Sequence, residues 1–227
     1  MKSSHYDMKM REIFCKLYQN LPKDILLHGE NTADYAFLLF RALKEHTGKD
    51  AFGLTERGIY LGAVYHDVGK IMVPQNILVK KEPLTQEERM LVARHVWYGG
   101  DIAAVILSPE NAEYLTTVYA MANAHHERWD GKGYPCRIKA ESIPIEARIC
   151  SIADSFDAMV SKRAYHDRMP EHKALEEIMR GAGSQFDPML AQLFVDCFPP
   201  DDNGKIVQIS KKFHKTPSGE FQTSKRI

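Results

Sequence analysis

Apolar residues recur through most of this chain at the three- and four-residue intervals of an amphipathic helix. In "TADYAFLLFRALKEH", Ala33, Ala36, Phe37, Phe40 and Leu43 fall on one face, and Gly48 supplies a stop. A second helix is predicted from Thr55, a suitable N-cap, through "GIYLGAVYHD", with Gly69 and Pro74 ending it. "LTQEERMLVARHVWYGGDIAAVIL" begins with Thr85 and Glu88 in capping-box spacing, and its Gly99-Gly100 pair predicts a bend or a close helix contact. Ser108 as cap and Pro109 at the first helical position open "SPENAEYLTTVYAMANAHH". "PIEARICSIADSFDAMV" and "PEHKALEEIMRGA" are further amphipathic stretches, and Asp187-Pro188 opens a last one running through Phe198.

Two segments break the helical rhythm. Residues 127–143 crowd Gly131, Gly133 and Pro135 into a polar stretch, which predicts a substantial loop beside a site. After Pro199-Pro200, "KIVQIS" and "EFQTS" read as two short strands around a "TPSG" turn, a short C-terminal β-hairpin. The sequence shows no internal repeat, so the predicted fold class is all-α, a bundle-like domain with irregular connections.

Composition narrows the function. With 227 residues, 44% of them hydrophobic, the chain can fill the core of one large domain. Thirty basic residues balance thirty acidic ones, so no global field draws it to polymeric nucleic acid or to an acidic membrane. Cys15, Cys136, Cys150 and Cys197 form no C-x-x-C pair, which fits thiols in a reducing compartment. No apolar run approaches the roughly 18–20 residues of a membrane span, and "MKSSHYDMKMREIF" lacks a signal-peptide centre; a cytoplasmic protein is expected.

The chemistry concentrates in histidines. His28, His66, His95 and the pair His125-His126 are each separated by about one helix plus its connection, and Asp154 follows at a similar interval. Successive helices of a bundle can each deliver one ligand to a common centre. Imidazole and carboxylate without thiolate suit iron, manganese or zinc in a reactive site better than structural zinc. The set exceeds what one ion needs, and Asp67, with two oxygens, is suited to bridge a pair. Two cations held roughly 3.5–4 Å apart acidify water and clamp phosphoryl oxygens, so phosphoester hydrolysis is the natural reaction. Taken singly, His5, His46, His172 and His214 read as ordinary core or surface residues.

"YHDVGKIMVPQNIL", "RHVWYGG", "HHERWDGKGYP", "IPIEARICSIADSFDAMVSKRAY" and "GSQFDP" succeed one another in an order that resembles the HD-GYP family of the HD phosphohydrolase superfamily, over roughly Asp24 to Phe198. The resemblance implies an HD-type helical bundle with a GYP loop, in an N-terminal helical segment 1–23, an HD-GYP domain 24–198 and a tail 199–227. It implies two divalent ions, often iron or manganese, with a third as an option, and hydrolysis of cyclic di-GMP to pGpG and/or GMP.

Carried across residue by residue, the resemblance makes His28, His66, Asp67 and Asp154 ligands of one ion, with Asp67 bridging to a second held by His95, His125 and His126. Asp67 and Lys70 are then the catalytic candidates. Lys70 faces the phosphate or merely closes its helix at the surface. Tyr134 contacts a base or phosphate, or only packs the loop. Arg163 binds phosphate or a guanine edge, or makes an ordinary salt bridge. Asp157, about a turn beyond Asp154, orients a ligand histidine from behind or pairs locally. Glu127, Trp129 and Asp130 are expected to hold the GYP loop in place.

Departures from the family pattern matter too. Asp24 stands where members with three ions carry glutamate, so it is the candidate third-metal ligand through a shorter reach. Ala164 and His166 replace a proline and a basic residue beside Arg163, and Glu30 adds negative charge nearby. They motivate two alternatives: a catalytically weak nucleotide-binding signalling module, or a phosphodiesterase for another cyclic dinucleotide or nucleotide. The expected partner is a cyclic dinucleotide, with a homodimer as an option. About two dozen residues precede the first motif, so this stretch is expected to encode no upstream receiver or sensor domain.

Overall fold

The structure is a computed structural model that describes residues 5–48, 51–107, 109–161, 168–199, 213–215 and 221–223. Helix α1 (His5–Gln19) leads into the long α2 (Lys23–Thr47), which starts well upstream of the predicted periodic stretch. Pro22 opens it: the Pro22 carbonyl accepts from Ile25 and Leu26, and the added first turns carry His28. Gly48 ends α2 in the left-handed region, at φ 62°, and its N–H caps the Lys44 carbonyl. In α3 (Glu56–Tyr65), the Thr55 side chain accepts from the Gly58 N–H as the sequence predicts.

Beyond α3, a 3₁₀ turn over Val68–Met72 and the single-turn α4 (Gln75–Leu78) lead to α5 (Gln86–Ala93), whose capping box between Thr85 and Glu88 is complete. The predicted continuous helix is interrupted at Arg94, and the chain resumes as α6 (His95–Ile106). Gly99 and Gly100 lie inside α6 and make the close helix contact, the second of the two outcomes predicted for the pair. A Cβ on Gly99 would stand 3.1 Å from that of Ala122, and one on Gly100 only 2.5 Å from the Tyr119 ring, both on α7 (Leu115–Ala124).

The chain continues through the GYP loop to α8 (Ile145–Val160), α9 (Glu171–Gly181) and α10 (Pro188–Asp196), where Asp187 caps the N–H groups of Met189 and Leu190. The body is all-α, and no described helix is long and apolar enough to cross a membrane. Two three-residue strands, β1 (Phe213–Lys215) and β2 (Phe221–Thr223), pair antiparallel with His214 opposite Gln222. The first predicted strand was placed at 205–210, outside the described residues, as is the predicted Ser108 cap; pairing is seen at 213–215, closer to the turn.

One core joins the inner faces of α2, α3, α8, α9 and α10 around Phe40, Ile149, Phe156 and Phe194. A smaller cluster packs Val68, Ile102, Ile106 and Val118 under Phe14 and Tyr18 of α1, and Arg11 adds a hydrogen bond to the Ile106 carbonyl at 3.1 Å. Phe156, fully buried, meets Tyr35, Phe194 and Phe198 with ring centroids 4.8, 5.1 and 5.3 Å away. Phe156→Ala is therefore expected to cost about 3–5 kcal/mol of stability, read by chemical denaturation. A loss below about 1 kcal/mol would mean this layer does not hold α8 in place.

Candidate metal centre

Five segments converge: the second turn of α2, the end of α3, the start of α6, the end of α7 and the middle of α8. Three of the converging imidazoles are aimed by their own backbone. The Nδ1 of His66 lies 2.7 Å from the Ala63 carbonyl, that of His95 2.7 Å from Val92, and that of His125 2.8 Å from Met121. A carbonyl only accepts, so each Nδ1 carries the proton and each Nε2 lone pair points inward.

The inward-facing atoms form two groups. His95, His125 and His126 offer nitrogens that all lie within 4.8 Å of one another, and so do the donor atoms of His28, His66 and Asp67. Asp67 connects the groups: Oδ1 is 3.1 Å from His95 Nε2 and 3.9 Å from His125 Nε2, while Oδ2 is 3.4 Å from His66 Nε2 and contacts Lys70. Asp154 joins the second group, with Oδ1 2.8 Å from His28 Nε2 and 3.8 Å from His66 Nε2. Asp157 sits behind it, accepting from His28 Nδ1 at 2.6 Å and from the Ser161 hydroxyl at 2.7 Å.

Charge follows from these surroundings. Burial, then the neighbouring imidazoles, keeps His125 neutral with its pKa well below the ordinary histidine range, and burial brings His126 to about 4. His28 behaves oppositely. Burial pulls its pKa down, but the hydrogen bonds to Asp154 and Asp157 outweigh that and leave it raised to about 9. Burial likewise pushes Asp67 and Asp154 up, yet Lys70 and His66 around the first and His28 beside the second hold both well below the usual carboxylate range.

These residues fit divalent cations. His66 Nε2 is buried, accepts no hydrogen bond and faces a carboxylate oxygen, and His95 and His125 turn their Nε2 atoms toward each other at 3.4 Å. Opposed lone pairs buried in this way are costly unless a cation stands among them. The neutral imidazoles of His125 and His126 and the ionised carboxylates of Asp67 and Asp154 are already in the form that binds one, whereas His28 would give up its Nε2 proton to do so.

The GYP loop frames one side. Tyr134 stacks on His126 with ring centroids 4.8 Å apart, and its N–H donates to the His126 carbonyl. Gly133 permits the fold-back, since a Cβ there would lie 2.4 Å from the Arg128 nitrogen. Buried Glu127 accepts from the Cys136 and Arg137 N–H groups at 2.6 and 3.1 Å. Trp129 and Asp130 donate backbone hydrogen bonds to Gln185 and Ser184, tying the loop to the "GSQFDP" segment.

Asp24 belongs to neither group; it is exposed on the first turn of α2 and accepts from the Ile25 N–H at 3.1 Å. Arg163, with Ala164 and His166, lies outside the described residues. A cavity of about 410 Å³ opens on His28, Lys70 and Asp157 and is walled by α2 and the segment 77–84. Sequence reasoning passed over that wall, because its two sides meet only in the fold.

The model of the HD domain family matches residues 46–190. The chain is 39% identical over 153 residues to a cyclic di-GMP phosphodiesterase of Thermotoga maritima, covering 67% of this chain and 40% of that protein. It is also 39% identical over 131 residues to 3'3'-cGAMP-specific phosphodiesterase 2 of Vibrio cholerae, covering 58% of this chain and 24% of that protein. The chain thus spans less than half the length of these relatives. The solved structure of Bd1817, an HDG"Y"P protein from Bdellovibrio bacteriovorus, superposes with a TM-score of 0.55 at 20% identity, covering 76% of this chain and 51% of that one. Fold, family model and motif order together place this chain in the HD-domain family, as a member of its HD-GYP group.

Proposed function

We propose that this chain is a metal-dependent phosphodiesterase that opens a cyclic dinucleotide, with cyclic di-GMP as the first substrate and pGpG and/or GMP as products. The observation that carries the reading is Asp67, whose two oxygens face two separate histidine groups. His28, His66, Asp67 and Asp154 would hold one divalent ion and Asp67, His95, His125 and His126 a second, with iron or manganese suited to this nitrogen and oxygen set. Such ions, when bound, supply Lewis acidity to phosphoryl oxygens and acidify water.

The protein's own groups do the positioning. Lys70, held against Asp67 and partly open to solvent, offers an ammonium to the substrate phosphate. Asp157 fixes the His28 ring from behind. Tyr134 presents a half-exposed face beside His126, and burial pushes its phenol pKa up, so it remains a neutral donor. Relatives named for cyclic di-GMP support the substrate class. The relative named for 3'3'-cGAMP favours a mixed cyclic dinucleotide as the second reading.

Anaerobic purification with elemental analysis, followed by chromatography of products from cyclic di-GMP and 3'3'-cGAMP with added ferrous iron or manganese, tests the proposal. Multiple turnovers to linear product are expected. Tight nucleotide binding without product in a metal-loaded sample would overturn hydrolysis in favour of a binding module.

A further inference from the structure

The cavity beside His28 lies away from the GYP loop, and its lining has the chemistry of a base slot. Its volume of about 410 Å³ falls within the range of roughly 300–1,000 Å³ typical of small-molecule sites. Ile25 and Leu27 on α2 face Ile77, Leu78, Leu84 and Val92, giving two apolar walls. The outer wall is fastened: Lys80 Nζ meets both Glu88 oxygens at 2.8 and 2.6 Å, and Glu88 Oε2 accepts from the Thr85 N–H at 2.8 Å. Lys81 and Glu82 belong to the lining on the 77–84 side, adjacent, exposed, and forming no hydrogen bond or ion pair among the described residues.

A planar base in this cavity would have the Lys81 ammonium and the Glu82 carboxylate among its lining groups. Guanine offers O6 and N7 as acceptors and N1–H with N2–H₂ as paired donors; a carboxylate matches the donors and an ammonium the acceptors. Adenine puts an acceptor at N1, against the carboxylate.

We propose that this cavity is a guanine half-site for one nucleoside of the cyclic dinucleotide, with Glu82 reading the N1–H and N2–H₂ edge and Lys81 the O6 and N7 edge. Glu82 and Lys81 are specificity-determining residues and take no part in the chemistry. The inference rests on the phosphodiesterase reading and narrows it. One guanine suffices to fill the slot, so cyclic di-GMP and a mixed guanine–adenine dinucleotide both enter, and cyclic di-AMP is disfavoured.

The test compares kcat/KM for cyclic di-GMP and cyclic di-AMP in the full chain and in Glu82→Gln, with bis(p-nitrophenyl) phosphate, which has no base, as a reference substrate for the unaltered protein. An amide replaces one acceptor oxygen by a donor, so the preference for cyclic di-GMP is expected to fall about tenfold. Equilibrium dialysis of labelled cyclic di-GMP against Leu84→Trp, which fills the slot, is expected to show at least about tenfold weaker binding. An unchanged preference in Glu82→Gln, or unchanged binding in a folded Leu84→Trp, overturns the half-site. Absence of bis(p-nitrophenyl) phosphate hydrolysis by the unaltered, metal-loaded chain instead overturns the phosphodiesterase reading, and the dialysis still judges the slot.

Discussion

Asp67→Ala is expected to lower phosphodiesterase turnover roughly 10³-fold or more, the largest effect of any single substitution in the chain. Three losses coincide in it. Oδ1 disappears from beside His95 and His125, Oδ2 from beside His66, and Lys70 loses its buried partner. Two histidine groups then share no common ligand, and the Lys70 ammonium is free to leave the position it would hold against a phosphate. Steady-state kinetics with elemental analysis on the same sample checks this, with metal content expected to fall as well. A folded, metal-assayed Asp67→Ala protein turning over near the unaltered rate would falsify the bridging role.

Gly69→Ala is expected to cost about 1–3 kcal/mol of stability and about 10²-fold in activity, although Gly69 carries no side chain. A Cβ there would fall 2.0 Å from the His95 carbonyl oxygen, 2.8 Å from its carbon and 3.0 Å from its Cα. All three are backbone atoms at the start of α6, so no rotamer change relieves the clash. The start of the helix must retreat and take the His95 ring away from Asp67 Oδ1, now 3.1 Å distant. Thermal melting and turnover measured together read both effects. Retained turnover with a lowered melting temperature would show that α6 shifts without disturbing the centre.

The break at Arg94 marks where sequence stops being informative. Thr85, Glu88, Thr55, Gly48 and Asp187 were legible as helix signals because a cap is settled within one turn of chain. The stretch around His95 carries a continuous helical pattern, so a bend or a close helix contact was expected at the glycine pair; the contact is there, but the interruption is not. It comes instead where the 3₁₀ turn after Asp67 presses Gly69 against His95, a contact between distant segments. The candidate metal ligands were proposed from type, spacing and motif, and the structure brings His28, His66, Asp67, His95, His125, His126 and Asp154 close to one another. The slot at Lys81 and Glu82 was not readable, since its opposing wall is contributed by Ile25 and Leu27 from another helix.

The hydrogen bonds from Nδ1 to nearby carbonyls have a consequence for assembly. His66, His95 and His125 take their bearing from the turn each belongs to, so these rings are pointed before their neighbours arrive. His28 is different: the carboxylates that steer it come from α8, more than half the chain away. A distant packing defect would therefore shift the first three without turning them, whereas His28 would lose the carboxylates that set its heading.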